Sequence, residues 1–369
     1  MRVTHLASGD LWAGAEVQLF QLATAMLKRD EVSIDVVLLN EGLLAERLRE
    51  AGVSVTVIDE HQHGGFSILL RLISHFRRFR PVLVHTHRQK ENVLGSLAAR
   101  LANVKFSVRT VHGAPEFSNA EWRRRINSEL DRWTARWLQD RVVMVTQDLA
   151  EQLSGRYPSA KVSVIQNGLA PIDAVERAPK YAVTNRVNVC FAGRLVPVKR
   201  VDLFVDMAAA AQQQSDDRFH FHIFGDGPGQ AALHESISSA GLDDWVSRWG
   251  FVDGLTDALA EMDVLVMTSD HEGLPMVMLE AMSLGVAIVA HAVGGMPEVL
   301  ASGECGVLVH EHTGDAFLSA LQSLAQEDVR GSVAKRAHRR FSERYTADGC
   351  AMRTVELYTG LVRPSERIA

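Results

Sequence analysis

Two patterns of apolar and polar residues alternate along the chain. In one, apolar residues recur every three or four positions, which places them on one face of a helix; in the other, short segments are almost continuously apolar, as in strands buried on both faces. The predicted helices include Ala15–Lys28, Leu43–Ala51, Ile68–Phe79 and Ala347–Val362. The predicted strands are Val3–Leu6, Val32–Leu39, Val53–Ile58, Val82–His85, Phe106–Val111, Arg141–Thr146, Lys161–Ile165, Val187–Ala192, His220–Phe224, Val246–Gly250, Val264–Met267, Ala287–Ala290 and Gly306–Val309.

Buried strands that alternate with helices predict parallel sheets covered on both faces. Each half of the chain contains about six such strands, enough for a doubly wound, Rossmann-like sheet. The segment GLAPIDAVERAPKYAVTNR at 168–186 has two prolines and no period, and it is the predicted boundary. We therefore predict an α/β protein with two facing domains, 1–175 and 176–346, and a terminal helical segment, 347–369, that crosses back to the first domain.

The charge of the chain is divided unevenly. Net charge is −6, but residues 1–180 carry 24 basic and 20 acidic residues, whereas 181–369 carry 15 and 25. Within 66–140 the balance is 14 basic to 6 acidic. This asymmetry indicates different partners for the two halves; the alternative is two solvated surfaces of opposite sign.

Cysteine usage and hydropathy bear on the compartment. Cys190, Cys305 and Cys350 are far apart and odd in number, which argues against a disulfide framework and favours a reducing compartment. The sequence begins without a secretory signal pattern and has no apolar run of about 18 residues that predicts a spanning helix. We expect a cytoplasmic protein.

The segment GRLVPVKR follows the strand Val187–Ala192. Gly193 permits a sharp turn, and Arg194 and Lys199 place two cations on a loop that leads into a helix. A guanidinium and an ammonium near a helix N-terminus favour diphosphate binding. The alternative is a solvated basic loop.

The segment GDGPG follows the strand His220–Phe224. The spacing of Gly225, Gly227 and Gly229 differs from a dinucleotide-binding fingerprint, and no suitable acidic residue follows. We interpret the segment as a tight turn that permits close approach of the backbone to a ligand; a plain turn is the alternative.

The segment HEGLPMVMLE contains two carboxylates among apolar residues. Pro275 suits the first turn of a helix and Gly285 its C-terminal cap, which places Glu272 in the preceding loop and Glu280 in the second turn. Both carboxylates can then face one cleft and accept hydrogen bonds from hydroxyl groups. The alternative is a helix cap at Glu272 and a surface glutamate at Glu280. The next strand is followed by Gly294, in a turn that leads into a helix.

Three strand ends in the first half also carry polar groups. Gly14 precedes a helix that has Glu16 in its first turn, where the helix dipole favours a carboxylate. His85 and His87 would point the same way from a strand, but the sequence places no third ligand near them, so we do not expect a metal site. His112, at the end of Phe106–Val111, is a candidate substrate contact; a structural histidine is the alternative.

Taken together, these motifs resemble the retaining GT-B glycosyltransferases of group 1, family 4. The resemblance covers nearly the whole chain, and the glutamate pair is its most specific element. The segments that carry it are AGAE at 13–16, HTH at 85–87, TVHG at 110–113, VIQNGL at 164–169, GRLVPVK at 193–199, FGDGPG at 224–229, HEGLPMVMLEAMSLGVAIVA at 271–290 and GGMPEV at 294–299.

The resemblance implies a nucleotide-sugar donor held by the C-terminal domain, without a metal or other cofactor. A UDP-sugar is the expected donor and a GDP-sugar the alternative. The implied catalytic residues are Arg194 and Lys199 on the diphosphate, Glu272 on the donor sugar and His112 on the transferred sugar. The implied donor-binding residues are Gly14, Gly193, Gly225, Val252, Gly273, Leu274 and Glu280, of which Glu280 would accept from the ribose hydroxyls.

One position departs from the family pattern. The family usually has two adjacent glycines in the first loop, and here Ala13 stands before Gly14, which narrows the allowed backbone. Retention would be a front-face substitution in which the leaving phosphate accepts the proton of the acceptor. The expected acceptor is a glycan, a lipid-linked sugar or a small molecule, and no nucleic acid is expected as a partner.

A basic, Trp-rich segment, EWRRRINSELDRWTARWL, lies in the first half. At helical spacing, one stripe contains apolar residues: Trp122, Ile126, Leu130, Trp133 and Trp137. Such a helix can lie on an anionic membrane surface, so we expect a protein that binds peripherally to the inner face of the membrane. The alternative is a stripe that packs on the core.

Other classes remain as alternatives. An epimerase would need an acid–base set, and a phosphorylase would need a lysine for pyridoxal phosphate. Neither is identifiable in the sequence. A non-catalytic nucleotide-sugar-binding protein is the third alternative, against which the charged residues at 194, 199, 272 and 280 argue.

Overall fold

A computed structural model describes residues 1–10, 12–113, 121–172 and 180–363, with the side chains of 89 and 121–128 left undescribed. The chain divides into two compact units. The first consists of residues 1–170 and 346–369, and the second of residues 171–345. The boundary thus lies a few residues before the predicted one, and the last helix belongs to the first unit.

The first unit is built on a parallel sheet of seven strands in the order β3-β2-β1-β4-β5-β6-β7. These strands are β1 (Arg2–Ala7), β2 (Ser33–Leu38), β3 (Ser54–Val57), β4 (Leu83–Thr86), β5 (Phe106–Val111), β6 (Arg141–Met144) and β7 (Val162–Val164). The apolar side chains of the central strands are almost all buried, and those of the edge strands β3 and β7 are partly buried. Helices on both faces therefore have to cover the sheet.

Seven helices belong to the described part of the first unit. They are α1 (Gly14–Leu27), α2 (Leu43–Glu50), α3 (Gly65–Phe79), α4 (Gln89–Leu101), α5 (Glu121–Trp137), α6 (Gln147–Gln152) and α14 (Ala347–Val362). The last of these, α14, packs on α1, and Ala351, Val355 and Tyr358 join the core with α1 and β1. Thr346 caps α14, and its carbonyl oxygen would lie 2.4 Å from a Cβ at Gly168, so only a glycine fits there.

The second unit has a six-stranded parallel sheet in the order β10-β9-β8-β11-β12-β13. Its strands are β8 (Val187–Ala192), β9 (Phe219–Phe224), β10 (Val246–Gly250), β11 (Val264–Met267), β12 (Ala287–His291) and β13 (Val307–Val309). Its helices are α7 (Val201–Gln213), α8 (Gln230–Ser239), α9 (Leu255–Leu259), α10 (Met276–Leu284), α11 (Met296–Val299), α12 (Gly314–Ser323) and α13 (Glu327–Arg344). Phe204, Phe221 and Phe317 anchor one face of the core.

The predicted fold class, two Rossmann-like parallel sheets, is confirmed. Each sheet has one point where the strand order reverses: between β1 and β4 in the first unit, and between β8 and β11 in the second. Ligands of open α/β sheets bind at such switch points, beyond the carboxyl ends of the strands. Among the described helices, none has the length and apolarity needed to cross a bilayer.

Candidate functional site

The switch point of the second unit is formed by two loops that hydrogen-bond to each other. One follows β8 and the other follows β11, and these strands are neighbours in the sheet. The amide of Asp270 donates to the carbonyl oxygen of Val198 at 2.8 Å, and the Thr268 hydroxyl donates to the carbonyl oxygen of Lys199 at 2.9 Å. The two predicted charged segments are therefore held together at one edge of the sheet.

Lys199 and Glu272 form an ion pair across these two loops. The ammonium donates to Glu272 Oε1, and Ser269 Oγ donates to the same oxygen at 2.7 Å. The side chains are only 23% and 12% exposed, so water screens the pair incompletely. The carboxylate of Glu272 thus pairs with a cation. The N-cap residue of α10 is Pro275, so the alternative of a helix cap at Glu272 is wrong.

Arg194 lies on the same loop with its side chain exposed. No ion pair or hydrogen bond joins its guanidinium to another described side chain, in contrast to the Lys199 ammonium. Lys199 ends a short 3₁₀ turn, Pro197–Lys199, directly before α7. The loop after β8 therefore places two cations close to a helix N-terminus: Lys199, which is paired with Glu272, and Arg194, which has no partner among the described side chains. The diphosphate hypothesis requires such cations.

Gly225 is needed for close contact between two loops. A Cβ at Gly225, where φ is +133°, would lie 1.9 Å from the carbonyl oxygen of Gly193. The Gly193 amide donates to Phe224 O at 3.0 Å, and the Leu195 amide donates to Asp226 O at 2.9 Å. The turn after β9 thus supports the backbone of the cationic loop.

Gly294 supports Glu272 in the same way. Its φ is +57°, and a Cβ there would lie 1.9 Å from the carbonyl oxygen of Glu272. The amide of Gly295 also points at this oxygen, at 3.4 Å. The turn after β12 therefore sets the position of the loop that carries Glu272.

Glu280 lies in the second turn of α10, which ends at Gly285 with φ +70°, as predicted. Its side chain is half-buried, and burial raises the pKa of the carboxyl group to about 7. The alternative of a surface glutamate is therefore wrong. No hydrogen bond or ion pair to another described residue satisfies this carboxyl, which leaves its oxygens for a ligand.

We expect Glu280→Gln to stabilise the unliganded protein at alkaline pH. An unfolded glutamate titrates near 4.3 and the folded one near 7, so the folded state holds the proton more strongly and loses stability as pH rises between these values. Gln lacks this loss. Urea unfolding should show the variant more stable by about 1–3 kcal/mol at pH 8 and nearly equal to wild type near pH 4.

The matched control is Glu235→Gln, at an exposed glutamate on α8 in the same unit. The same urea series on this variant shows what the loss of an exposed carboxylate alone does. A Glu280→Gln difference that is the same at pH 4 and pH 8 would contradict the assignment.

The remaining donor-binding candidates of the second unit lie at strand-end loops. Gly273 and Leu274 are buried between Glu272 and α10, and Val252 is half-buried just after β10. Sequence reasoning missed a second cluster beside them. In it, Asp270 accepts from Arg200 at 3.2 Å and lies 3.3 Å from His312, whose ring stacks on His291 at 3.7 Å. No motif links these positions, so only the fold reveals the cluster.

In the first unit, the loop after β1 leads into α1. Ala13 adopts an extended backbone, φ −133° and ψ −179°, which every residue can adopt, so its methyl group imposes no strain before Gly14. Glu16 is buried and pairs with Arg88, which precedes α4, at 2.5 Å. Burial raises the pKa of Glu16, and the charge of Arg88 opposes this rise. The expectation of a simple dipole interaction is thus incomplete, because Glu16 also holds Arg88.

Histidines from three strand ends form a connected group in the interior of this unit. His87 Nδ1 lies 3.3 Å from His112 Nε2, and His87 Nε2 lies 2.9 Å from His5 Nδ1. Tyr358 of α14 bridges His5 Nε2, at 3.5 Å, and His85 Nδ1, and His85 Nε2 lies 2.7 Å from the Thr110 hydroxyl. We call this group the histidine chain: His112, His87, His5, Tyr358, His85 and Thr110.

The expectation that no third histidine lies near His85 and His87 is wrong. His5 on β1 offers a nitrogen within 4.8 Å of theirs, close enough for a shared metal ion. However, both ring nitrogens of each of the three already have a hydrogen-bond partner within the histidine chain. A metal would have to displace these bonds.

The predicted amphipathic helix is α5, and its apolar stripe is solvent-exposed where the side chains are described. Leu130, Trp133 and Trp137 are 40%, 50% and 61% exposed, so the alternative of a core-facing stripe is wrong for them. The side chains of Trp122 and Ile126 lie outside the described residues.

The fold and these loops define a class. Two Rossmann-like units with polar groups at their switch points match the GT-B glycosyltransferase architecture. Residues 12–171 match the family model for glycosyltransferase family 4, and residues 186–327 match the model for glycosyl transferases group 1. The chain belongs to the group 1 glycosyltransferases.

Several known proteins are similar to this chain. The D-inositol 3-phosphate glycosyltransferase of Streptomyces avermitilis is 27% identical over 77% of this chain and 66% of its own length. The UDP-Gal:alpha-D-GlcNAc-diphosphoundecaprenol alpha-1,3-galactosyltransferase of Escherichia coli is 27% identical over 72% of each chain. For the first curated relatives that it matches, this chain spans between 20% and 66% of the relative's length.

A solved structure shares the fold over almost the full length. Anabaena HepE, in complex with UDP and glucose, aligns with a TM-score of 0.83 over 98% of this chain and 100% of its own, at 20% identity. At this identity the likeness concerns the fold.

Proposed function

We propose that this protein is a retaining glycosyltransferase that moves a sugar from a nucleotide-diphosphate-sugar to a hydroxyl-bearing acceptor, without a metal or other cofactor. The observation that carries the proposal is the Lys199–Glu272 pair at the switch point of the second unit, with Arg194 on the same loop. A diphosphate leaving group gains negative charge as the sugar departs, and preorganised cations stabilise that charge.

Each proposed donor contact follows from the charge or the hydrogen-bonding groups of the residue. Arg194 and Lys199 bind the diphosphate, and Glu272 binds hydroxyls of the donor sugar. Glu280, whose carboxyl group has no partner among the described residues, accepts from the ribose. The backbone of Gly273 and Leu274 contacts the sugar, and Val252 lies by the base. In the first unit, Gly14 approaches the diphosphate and His112 contacts the transferred sugar.

In the reaction, the bond from the anomeric carbon to the phosphate oxygen breaks as the acceptor oxygen bonds to the same face of that carbon. The positive charge that develops on the sugar is matched by negative charge on the leaving phosphate, which takes the proton of the acceptor hydroxyl. Lys199 and Arg194 stabilise the phosphate. No side chain has to act as a nucleophile, so the configuration of the donor sugar is retained without a covalent intermediate.

A UDP-sugar is the proposed donor, with a GDP-sugar as the alternative. HepE binds UDP and glucose in its crystal structure, and the Escherichia coli relative is named for a UDP-galactose donor and a lipid diphosphate acceptor. These names support a glycan or lipid-linked acceptor here, and a small molecule is the other acceptor class.

The proposal is tested by thermal shift and donor turnover with UDP-, GDP- and ADP-sugars. A cognate donor at 100 times its Kd stabilises the protein by about 2.7 kcal/mol. We expect one UDP-sugar to raise Tm and to be hydrolysed slowly. EDTA should not reduce this turnover. With an acceptor present, the transferred sugar should keep the anomeric configuration that it has in the donor. If no nucleotide sugar shifts Tm or is turned over, the proposed function is wrong.

We further propose that the exposed stripe of α5 binds an anionic membrane surface. Trp133 and Trp137 are exposed on the same helix as Arg132 and Arg136, which are also exposed. Aromatic side chains enter the interface of a bilayer, and cations nearby favour anionic lipid headgroups.

Replacing both tryptophans, Trp133→Ala with Trp137→Ala, should lower binding to phosphatidylglycerol-containing vesicles by about tenfold or more, because both aromatic anchors are lost. Vesicle sedimentation measures this binding. Phe66→Ala, at an aromatic residue that is 74% exposed elsewhere in the same unit, is the control and should bind like wild type. Wild-type protein that does not sediment with anionic vesicles would refute the membrane proposal.

A further inference from the structure

The histidine chain links His112 to groups far along the sequence through consecutive hydrogen bonds. Burial lowers the pKa of His5 and of His112 to about 4, with the charge of Arg88 adding to the effect at His112. Burial also places the pKa of His85 and of His87 well below the usual value. All four rings are therefore neutral at pH 7, and each has one N–H donor and one bare nitrogen acceptor.

Neutral rings in such a chain cannot choose their tautomers independently. If a ring donates at one end, its other nitrogen has to accept, and the next ring is forced into the same orientation. The chain therefore has only two consistent forms. In one, all four histidines carry their proton on Nε2; in the other, all four carry it on Nδ1.

Tyr358 decides between these two forms. A phenol is a better hydrogen-bond donor than a neutral imidazole N–H, and its hydroxyl lies closer to His85 Nδ1 than to His5 Nε2. The hydroxyl therefore donates to His85 Nδ1, and His85 Nε2–H donates to Thr110. The phenol oxygen then turns its lone pairs toward His5 Nε2. At 3.5 Å this contact is long, but an N–H at His5 Nε2 is attracted to those lone pairs, whereas a bare nitrogen would be repelled.

The same orientation continues to His112. With its proton on Nε2, His5 accepts at Nδ1 from His87 Nε2–H, and His87 accepts at Nδ1 from His112 Nε2–H. His112 Nδ1 is then bare, and it is also the one nitrogen of the chain's four rings that has no partner among the described residues.

We propose that the histidine chain holds His112 in the Nε2–H tautomer, which makes Nδ1 an acceptor for a ligand hydroxyl, and that Tyr358 is a positioning residue for this acceptor. The ligand assignment rests on the proposed function, because a sugar hydroxyl can donate to a bare nitrogen. A phosphate or carboxylate oxygen cannot, so this acceptor selects hydroxyl groups and disfavours anions.

The test is nitrogen NMR of the imidazole rings in the full-length protein labelled with ¹⁵N-histidine, which reports the protonated nitrogen directly. In wild type we expect the Nε2–H form at all four histidines of the chain. Tyr358→Phe keeps the aromatic ring but removes the oxygen that accepts from His5. Without that oxygen, each form leaves one buried N–H unpaired, at His5 Nε2 in the first and at His112 Nδ1 in the second, so the preference is lost and His5, His87 and His112 should become a mixture of the two tautomers.

Activity gives a second readout. For Tyr358→Phe we expect a roughly two- to threefold lower kcat for donor turnover, because in part of the protein His112 then offers the ligand hydroxyl a donor instead of an acceptor, with little change in the KM of the donor. The matched control is Tyr157→Phe. Tyr157 is another buried tyrosine of the same unit, and its hydroxyl donates to Asp131 at 2.9 Å outside the chain. This variant should leave the tautomer of His112 and kcat unchanged.

The outcomes separate this proposal from the proposed function. An Nδ1–H form at His112 in wild type, or an unchanged His112 tautomer in Tyr358→Phe, overturns the histidine chain. Stoichiometric zinc binding that perturbs the His5, His85 and His87 resonances also overturns it. The predicted tautomers in a protein that turns over no nucleotide sugar would support the chain and refute the proposed function.

Discussion

Lys199→Ala should lower kcat for sugar transfer by about 10²–10³, equivalent to about 3–4 kcal/mol of transition-state stabilisation. The ammonium is partly shielded from water, so its interaction with a leaving diphosphate is stronger than that of an exposed lysine. Steady-state kinetics with a saturating donor measure the effect. The KM of the donor should rise less than kcat falls, because the charge on the phosphate increases as the bond to the sugar breaks.

Two further variants test whether the effect comes from a cation at this position. Lys199→Arg keeps a cation and should recover part of the lost kcat. Lys335→Ala removes an exposed cation on α13 of the same unit and should leave kcat unchanged. If Lys199→Ala retains wild-type kcat while its Tm falls, the residue is only a structural partner of Glu272, and the leaving-group assignment fails.

The Lys199–Glu272 pair also shows how a binding site can be kept ready without donor. Separating the pair would leave a partly buried charge uncompensated on each side, which is unfavourable. In the proposed donor complex, the diphosphate replaces Glu272 as the anion beside Lys199, and hydroxyl groups of the sugar donate to the Glu272 carboxylate in place of the ammonium. Both charges would then have partners before and after donor binding.

Much of the fold could be predicted from the sequence because its strands are buried on both faces. The bounds of Val187–Ala192 and Val264–Met267 are confirmed, since each is a short, mostly apolar segment bounded by polar or glycine residues. Pro275 and Gly285 likewise predict the helix that follows Glu272. These signals are local in the sequence, and tertiary packing does not override them here.

The contacts that assemble the site could not be predicted, because they depend on strand order. His5 and His85 are neighbours only because β1 pairs with β4, and nothing in their separation along the chain indicates this. The close contact of Gly225 with the backbone of Gly193 also depends on the pairing of their strands, and no motif indicates it. The exposure of Trp133 could not be predicted either, because apolar residues at helical spacing do not indicate whether another element packs on them.

Gly294→Ala should destabilise the second unit and also impair donor binding. The new Cβ would lie 1.9 Å from Glu272 O, and the backbone at φ +57° is unfavourable for a residue with a side chain. Overpacking and the left-handed backbone together should lower the free energy of unfolding by about 3–5 kcal/mol. Because relief of the overlap moves the loop that carries Glu272, the KM of the donor should rise as well.

Gly285→Ala separates the overlap from the backbone effect. Gly285 has a similar φ of +70°, but no atom lies within 4 Å of a Cβ there, so only the left-handed backbone opposes alanine. Its expected destabilisation is about 1–2 kcal/mol, with an unchanged KM for the donor. Urea unfolding of both variants measures the loss of stability, and donor titrations measure the change in KM. Equal effects of the two would mean that the Glu272 loop yields to the added methyl group, and that Gly294 does not set the position of the carboxylate.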